Sequence, residues 1–338
     1  MANTFLFLTG NIGFAPVINK VVKERVNVLV EGTFFQGYNP NIIIVDSNVK
    51  YGMLSNTDIP VIGASYFGYQ LDTSEDYKQK LFKTCGLELT KDKTGINVCS
   101  EGWYSKGKCV CNINSFFNTS FVGSLEDKLF KLGQGKLGGV LQKLKYTGPL
   151  YLNLVIREGK LYVLDMLAEI NPITLLATLE NYRGKVSSFF LNLAKGETPQ
   201  FKSLWHMALQ LYAEPVMFPN FTIKGINKHN LRHLWFYDVS QAQGNFTLGE
   251  SCNLGLITSR GDTARECCRR AYRTINNLEF ENKAYGRRWG STLDEQYIFL
   301  AENEWIKGGD LSGYKEMVFK QDDMGKHPRS ISSNTRSN

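Results

Sequence analysis

The polar residues best placed to do chemistry lie between positions 148 and 182, in GPLYLNLVIREGKLYVLDMLAEINPITLLATLENY: Asp165, Glu169 and Asn171. Carboxylate and amide oxygens at the end of a strand suit a hard cation, and the start of a helix offers N–H groups to phosphate. The other reading of Asp165 is a residue that only caps the turn, in a segment with no site at all.

Two strands and a helix must position these groups. Tyr151 to Ile156 and Leu161 to Met166 read as strands joined by Arg157-Glu158-Gly159-Lys160, a hairpin with glycine in its turn. Pro172 ahead of Ile173-Thr174-Leu175-Leu176-Ala177-Thr178-Leu179 fits the first turn of a helix.

The chain around this segment has 338 residues, enough for two or three domains, and its 43% hydrophobic and 21% charged residues suit an ordinary globular protein. Thirty-nine Lys and Arg stand against 32 Asp and Glu, a net charge of +7 spread along the chain. That balance permits polyanionic ligands such as nucleotides without indicating nucleic acid. Seven cysteines with no CxxC pair read as reduced thiols, which favours neither a zinc site nor a disulfide framework and points to the cytoplasm. No run of 18 apolar residues exists, and the start reads as a first strand, with neither a signal peptide nor a membrane anchor.

Taken in order, Phe5 to Thr9 reads as a buried strand. Gly10-Asn11-Ile12-Gly13 then turns into a helix over about 15–24. The two glycines lack the third glycine of a dinucleotide fingerprint, so a tight strand-to-helix turn is preferred there. Further apolar runs at 26–30, 41–46 and 60–63 argue for a parallel sheet covered on both faces. Thr73 or Ser74 is placed to cap a helix that ends at Cys85-Gly86.

The run Ile59-Pro60-Val61-Ile62-Gly63-Ala64-Ser65, followed by Asp72 to Tyr77 and Gly86-Leu87, resembles a passage of the phosphoribosylamine-glycine ligase family, within the ATP-grasp superfamily. Val98 to Tyr104 resembles a strand of the ATP-grasp C-terminal lobe, and Glu126-Asp127-Lys128 with Gly133 to Val140 resembles its glycine-rich loop. The opening hairpin is similar to the family's metal-binding strands, placing Asp165 on the metal-binding Glu. A last stretch, 252–290, is similar to the family's C-terminal strand, capped turn and helix, with Ala264, Cys267, Cys268, Ala271, Tyr272 and Ile275 at helical spacing.

The resemblance implies an α/β protein: a parallel-sheet pre-ATP-grasp domain over 1–89, a truncated ATP-grasp-like α+β middle over 90–240, a small α+β C-terminal domain over 241–290, and an extension and tail over 291–338. It also implies ATP and Mg2+ if the chain is active, with Asp165 and Glu101 holding the metal and Lys128 or Lys136 contacting phosphate. The pattern is damaged, however. Only 14 residues separate Gly86 from Glu101, too few for the lobe that supplies phosphate-binding lysines, and Lys91 and Lys93 in that connector read as solvated surface. The family's second metal ligand falls on Leu167, its phosphate-binding Arg on Glu169 and its Gly on Asn171. A carboxylate in place of a cation would repel a triphosphate.

Elsewhere, Trp205, His206, Tyr212, Trp235 and Tyr237 read as core or interface, and His229 and His233, four apart beside Leu231 and Leu234, read as a packed or half-exposed helix. Trp305 in the extension suggests a protein partner, the tail from 324 reads as flexible, and an oligomer is left open. The reading favoured is a non-catalytic ATP-grasp descendant used as a structural or interaction protein, a compact copy of the sort expected of a virus or phage, located in the host cytoplasm or the virion. The alternatives are an ATP-dependent carboxylate-amine ligase acting through an acyl-phosphate with a minimal or partner-completed site, and a small-molecule binder that kept an N-terminal cleft.

Overall fold

A computed structural model describes residues 5–8, 17, 28–30, 42–45, 61–63, 71, 74–168, 170–214, 221–286, 290–307 and 309–325. The turn at Gly10 to Gly13, the helix expected over about 15–24 except Val17, Glu169, Arg287 to Trp289 and the tail from 326 lie outside the described residues.

The N-terminal apolar runs form the parallel sheet their composition implies. Strands β1 (Phe5–Leu8), β2 (Val28–Val30), β3 (Ile42–Val45) and β4 (Val61–Gly63) lie in the order β2-β3-β1-β4. Helix α1 (Glu75–Cys85) follows, with Ser74 at the N-cap position, and stops where Gly86 takes a left-handed φ of 66°. Its buried face carries Lys78, Leu81 and Phe82, so a cation sits in the apolar stripe.

The connector after Gly86 builds no lobe among the described residues. It lies against the hairpin instead: Thr90 N–H donates to the Val163 carbonyl at 2.9 Å, and Val163 N–H to that of Glu88 at 2.8 Å. The chain then enters the large sheet with β5 (Ile96–Ser105), β6 (Lys108–Phe116) and β7 (Thr119–Gly123). The segment 128–143, in which Gly133 to Val140 was expected as a glycine-rich loop, is helical: α2 (Lys128–Leu132), a 3-10 turn at Gln134–Leu137 and α3 (Gly138–Lys143). Leu129, Leu137 and Leu141 are buried there, and that packing holds the segment as helix.

The hairpin β8 (Gly148–Arg157) and β9 (Lys160–Leu167) leads into α4 (Pro172–Asn181) and α5 (Val186–Lys195). Next come β10 (Trp205–Ala213), β11 (Phe221–Ile223), β12 (Leu234–Phe236), β13 (Val239–Ala242), β14 (Asn245–Leu248) and β15 (Asn253–Gly261). Helix α6 (Ala264–Asn276), β16 (Lys283–Tyr285), α7 (Gly290–Glu302) and α8 (Leu311–Gly325) complete the described chain. The antiparallel path runs β12-β15-β10-β7-β6-β5-β8-β9, with β16 also on β10, while β11, β14 and β13 form a separate small sheet.

Because β10 pairs with both β7 and β15, one sheet crosses the boundary drawn near residue 240. The middle and C-terminal regions are therefore continuous through hydrogen bonds. Trp205, His206 and Trp235 are buried, whereas Tyr212 is exposed. The His206 ring lies by Thr178 and Asn181, and burial holds its pKa down at about 3, so it is a neutral core residue. The seven cysteines are free thiols, and among the described residues no helix is long and apolar enough to cross a membrane.

The extension folds back on the sheet. Tyr297 meets Phe121 and Trp205 with ring centroids 5.2 and 5.4 Å apart, and Tyr314 lies 4.8 Å from Tyr297. Trp305, expected to anchor a partner, is 2% exposed in the chain's own core; a partner would meet the exposed Phe299, Met317 and Phe319. Asp294 of α7 accepts from Ala264 N–H at 2.7 Å, Arg265 N–H at 3.1 Å and the Tyr314 hydroxyl at 2.6 Å. A buried carboxylate thus satisfies the N-terminus of α6 and ties both extension helices to it. Asp294→Ala leaves those donors unpaired and is expected to lower stability by about 2–4 kcal/mol, with earlier proteolysis within 290–325, measured by urea unfolding and limited digestion.

Candidate functional site

The hairpin turn uses Glu158 and Gly159, with φ of 49° and 73°, a two-residue connection whose twist matches the strands. It fixes a register in which Cys99, Asn153 and Asp165 stand side by side on β5, β8 and β9. Glu101 and Tyr151 form the next row of the same face. Asn171 caps α4, its Oδ1 accepting from Ile173 N–H at 2.9 Å, and Pro172 opens the first turn. Between the sheet face, α1 and the start of α4 lies a cleft of about 730 Å³ whose lining includes Asn153, Asp165, Asn171, Thr174, Glu75 and Lys93.

One carboxylate of this face already has a cation. Lys78 Nζ, on a side chain only 7% exposed, donates to Asp165 Oδ1 at 2.5 Å and reaches Glu75 Oε1 at 3.3 Å. Burial works against the ammonium, but hydrogen bonding and charge from Asp165, then Glu75, outweigh it and raise the Lys78 pKa. Asp165 Oδ1 also accepts from Met166 N–H at 2.7 Å.

Glu101 differs in kind. It is 2% exposed, and its Oε2 has no hydrogen-bond partner among the described residues. Burial pushes its carboxyl up to about 7, while Tyr151, Thr174 and Trp103 beside it temper the rise. Near neutrality the acid and the carboxylate are comparably populated, and a proton can satisfy part of what a metal would.

Glu101 and Asp165 are not neighbours on the sheet face. They are two strands and one row apart on the sheet, a backbone separation of about 12 Å. Ligands of one magnesium must all lie within about 2.1 Å of it. Among the described residues no group of three or more His, Cys, Asp and Glu side chains is arranged to hold a metal.

The lysines expected at phosphate lie elsewhere. Lys128 Nζ sits 4.4 Å from the centroid of the Trp305 ring, a cation–π contact with the extension. Lys136 is exposed on the 3-10 turn, close to Gly86 at the end of α1. Lys93 reaches the rim of the cleft. Asp92, between Lys91 and Lys93, is ion-paired with Arg157, which fastens the connector to the hairpin. Sequence reasoning missed Lys78. The signal was a lysine at the 78, 81, 82 spacing of an amphipathic helix, where a cation needs a buried partner.

A second polar cluster was missed altogether. It lies in a cavity of about 470 Å³ beside β15 and α6, with Arg232, His233, Thr258, Arg260, Arg270 and Arg273 on its walls. Below it Glu180, at the end of α4, accepts from Arg260 Nη1 at 2.8 Å and the Thr258 hydroxyl at 3.0 Å, and lies 3.1 Å from His233 Nδ1. Burial alone would push the Glu180 carboxyl up, but His233, then Arg260 and Thr258, hold it below its ordinary 4.5.

Several solved structures share this fold. Phosphoribosylamine–glycine ligase of Thermotoga maritima superposes with a TM-score of 0.55 at 13% identity, covering 83% of this chain and 98% of that one. N5-carboxyaminoimidazole ribonucleotide synthetase of the same organism gives 0.51 at 11%, covering 82% and 99%. The biotin carboxylase domain of a thermophilic 2-oxoglutarate carboxylase gives 0.53 at 9%, covering 83% and 92%. No family model and no curated protein matches the chain by sequence. The chain has the fold of the ATP-grasp enzymes, in divergent form; identities this low establish architecture and leave activity to the site itself.

The Glu101 assignment makes a pH-dependent prediction. A carboxyl raised from 4.5 to about 7 favours folding in its protonated form, a contribution fully present below about pH 4.5 and lost as pH rises through 7. Glu101→Gln keeps the neutral form at all pH. It should be more stable than the native chain at pH 8 by on the order of 2 kcal/mol, and about equal at pH 4.5, in urea titrations at both values.

Proposed function

We propose that this chain is an ATP-grasp protein that has lost phosphoryl transfer and acts as a structural or interaction protein. The observation that carries this reading is the Lys78 ammonium on Asp165: the carboxylate aligned with the family's metal ligand is neutralised from within the chain. Two further features support it. The connector between α1 and β5 leaves no room for a phosphate-binding lobe, and the lysines at 128 and 136 are not among the residues that line the cleft. Positioning and charge stabilisation supply most of the rate of phosphoryl transfer, and both are weakened together. The free thiols suit a reducing compartment, and a compact, divergent copy of a metabolic enzyme fits a viral genome, acting in the host cytoplasm or the virion.

One observation favours a second reading, a carboxylate-amine ligase using ATP and Mg2+ whose site a partner completes. The cleft of about 730 Å³ persists, with Asn153, Asp165, Asn171 and Lys93 around it.

Calorimetric titration of the full chain with Mg-ATP, run beside a thermal-shift scan, separates the two. The first reading expects no Mg2+-dependent saturable heat and no Mg2+-dependent rise in Tm at millimolar nucleotide, since a ligand bound only by the folded state must raise apparent stability. Saturable binding that requires Mg2+ would move the conclusion to the ligase.

A further inference from the structure

We propose that the cavity bounded by β15, α6 and the 227–233 loop is a binding site for a small phosphate ester, a sugar phosphate or a nucleoside monophosphate. It lies at the β12 edge of the large sheet, away from the β8–β9 cleft.

The charge of the cavity is lopsided. Arg232, Arg260, Arg270 and Arg273 line it, and Lys202 and Arg183 stand close enough to add to the same positive field. Two carboxylates pair with this group: buried Glu180 takes Arg260 and His233, and Glu266 takes Arg270 at 2.7 Å. Arg232, Arg273 and Lys202 make no ion pair with a carboxylate among the described residues. The Lys202 pKa is lowered by burial first and then by Arg260, Arg232 and Arg183, Glu180 opposing, as expected where cations crowd without enough counter-charge.

Such crowding costs stability in the empty protein, and an anion relieves it. Guanidinium groups offer paired N–H donors that match phosphate oxygens bidentately. Arg260 is already aimed: Glu180 holds its Nη1, and Glu180 is in turn fixed by Thr258. Arg270 is held twice, by Glu266 and by the Arg260 carbonyl at 2.9 Å. Two pre-positioned guanidiniums with two more at the rim make a phosphate cradle, since groups already ordered lose little freedom on binding.

The rest of the lining says what the phosphate carries. Asn227, Asn230, Asn277, Ser259 and Thr274 offer donors and acceptors of the kind that read hydroxyls or a base edge. A volume of about 470 Å³ lies within the range of small-molecule sites, which run to roughly 300–1,000 Å³, and suits one sugar or nucleoside unit.

The test is calorimetric titration of the full chain with AMP and with glucose 6-phosphate, using adenosine and glucose as phosphate-free controls. At least one ester is expected to bind saturably and both controls to fail. The double variant Arg232→Glu, Arg273→Glu should raise Kd by roughly tenfold or more. Both residues are exposed, and the single reversals give the same readout independently if the double variant does not fold. The proposal is overturned if neither ester binds at millimolar concentration, if the controls bind equally, or if charge reversal leaves Kd unchanged, as for binding in the β8–β9 cleft. It is equally overturned if a single-stranded oligonucleotide binds through these arginines more tightly than either monoester, which would make the face a nucleic-acid surface.

Discussion

Nine consecutive residue pairs join β5 to β8, from Ile96 opposite Ile156 to Tyr104 opposite Gly148. That ladder sits inside the large sheet, with β6 and β7 on one side and β9 on the other, so its register sets what every other strand presents. A slip of one residue in β5 would send Glu101 to the opposite face and turn Ser100 and Gly102 toward the face it occupies. The burial of Leu150, Leu152 and Leu154 forbids the slip, because those side chains would lose their core contacts. The chemistry of the cleft is thus fixed by packing on the reverse side of the sheet.

Within that frame, charge has been rearranged rather than removed. The acidic residue at the end of the hairpin, Asp165, has as its positive partner an ammonium on α1. An ammonium needs no coordination shell and brings no exchangeable water, so it neutralises a carboxylate without supplying Lewis acidity. The pair also joins helix to hairpin across 87 positions of sequence, a structural role a dissociable ion fills less permanently.

Much of this could be read from the chain, and the limits have physical causes. The hairpin was legible because its strands are short apolar runs and its turn holds Glu158-Gly159; α6 was legible because Thr263 caps Glu266 N–H and the cysteines and Tyr272 keep helical spacing. Gly86 ends α1 as its chirality-free backbone allows. What could not be read depends on contacts distant in sequence. Lys78 finds Asp165 only after the fold closes, Trp305 is buried only because α2 and α7 meet, and the arginine cavity draws on segments near 183–202, 227–233, 258–260 and 270–277. The stretch 133–140, similar to a glycine-rich loop, is helical because glycine content says only that a backbone can bend, and the buried Leu137 and Leu141 hold it coiled.

Helix α4 touches both polar regions. Asn171 and Thr174 face the cleft at its start, and Glu180 holds Arg260 near its end, ten residues or about 15 Å of helix covering the distance. Thr174 to Asn181 are all buried, so the helix has no free side toward which to tilt. The cleft and the arginine cavity thus stand at opposite ends of one buried helix, and neither could be repacked without disturbing the element that frames the other.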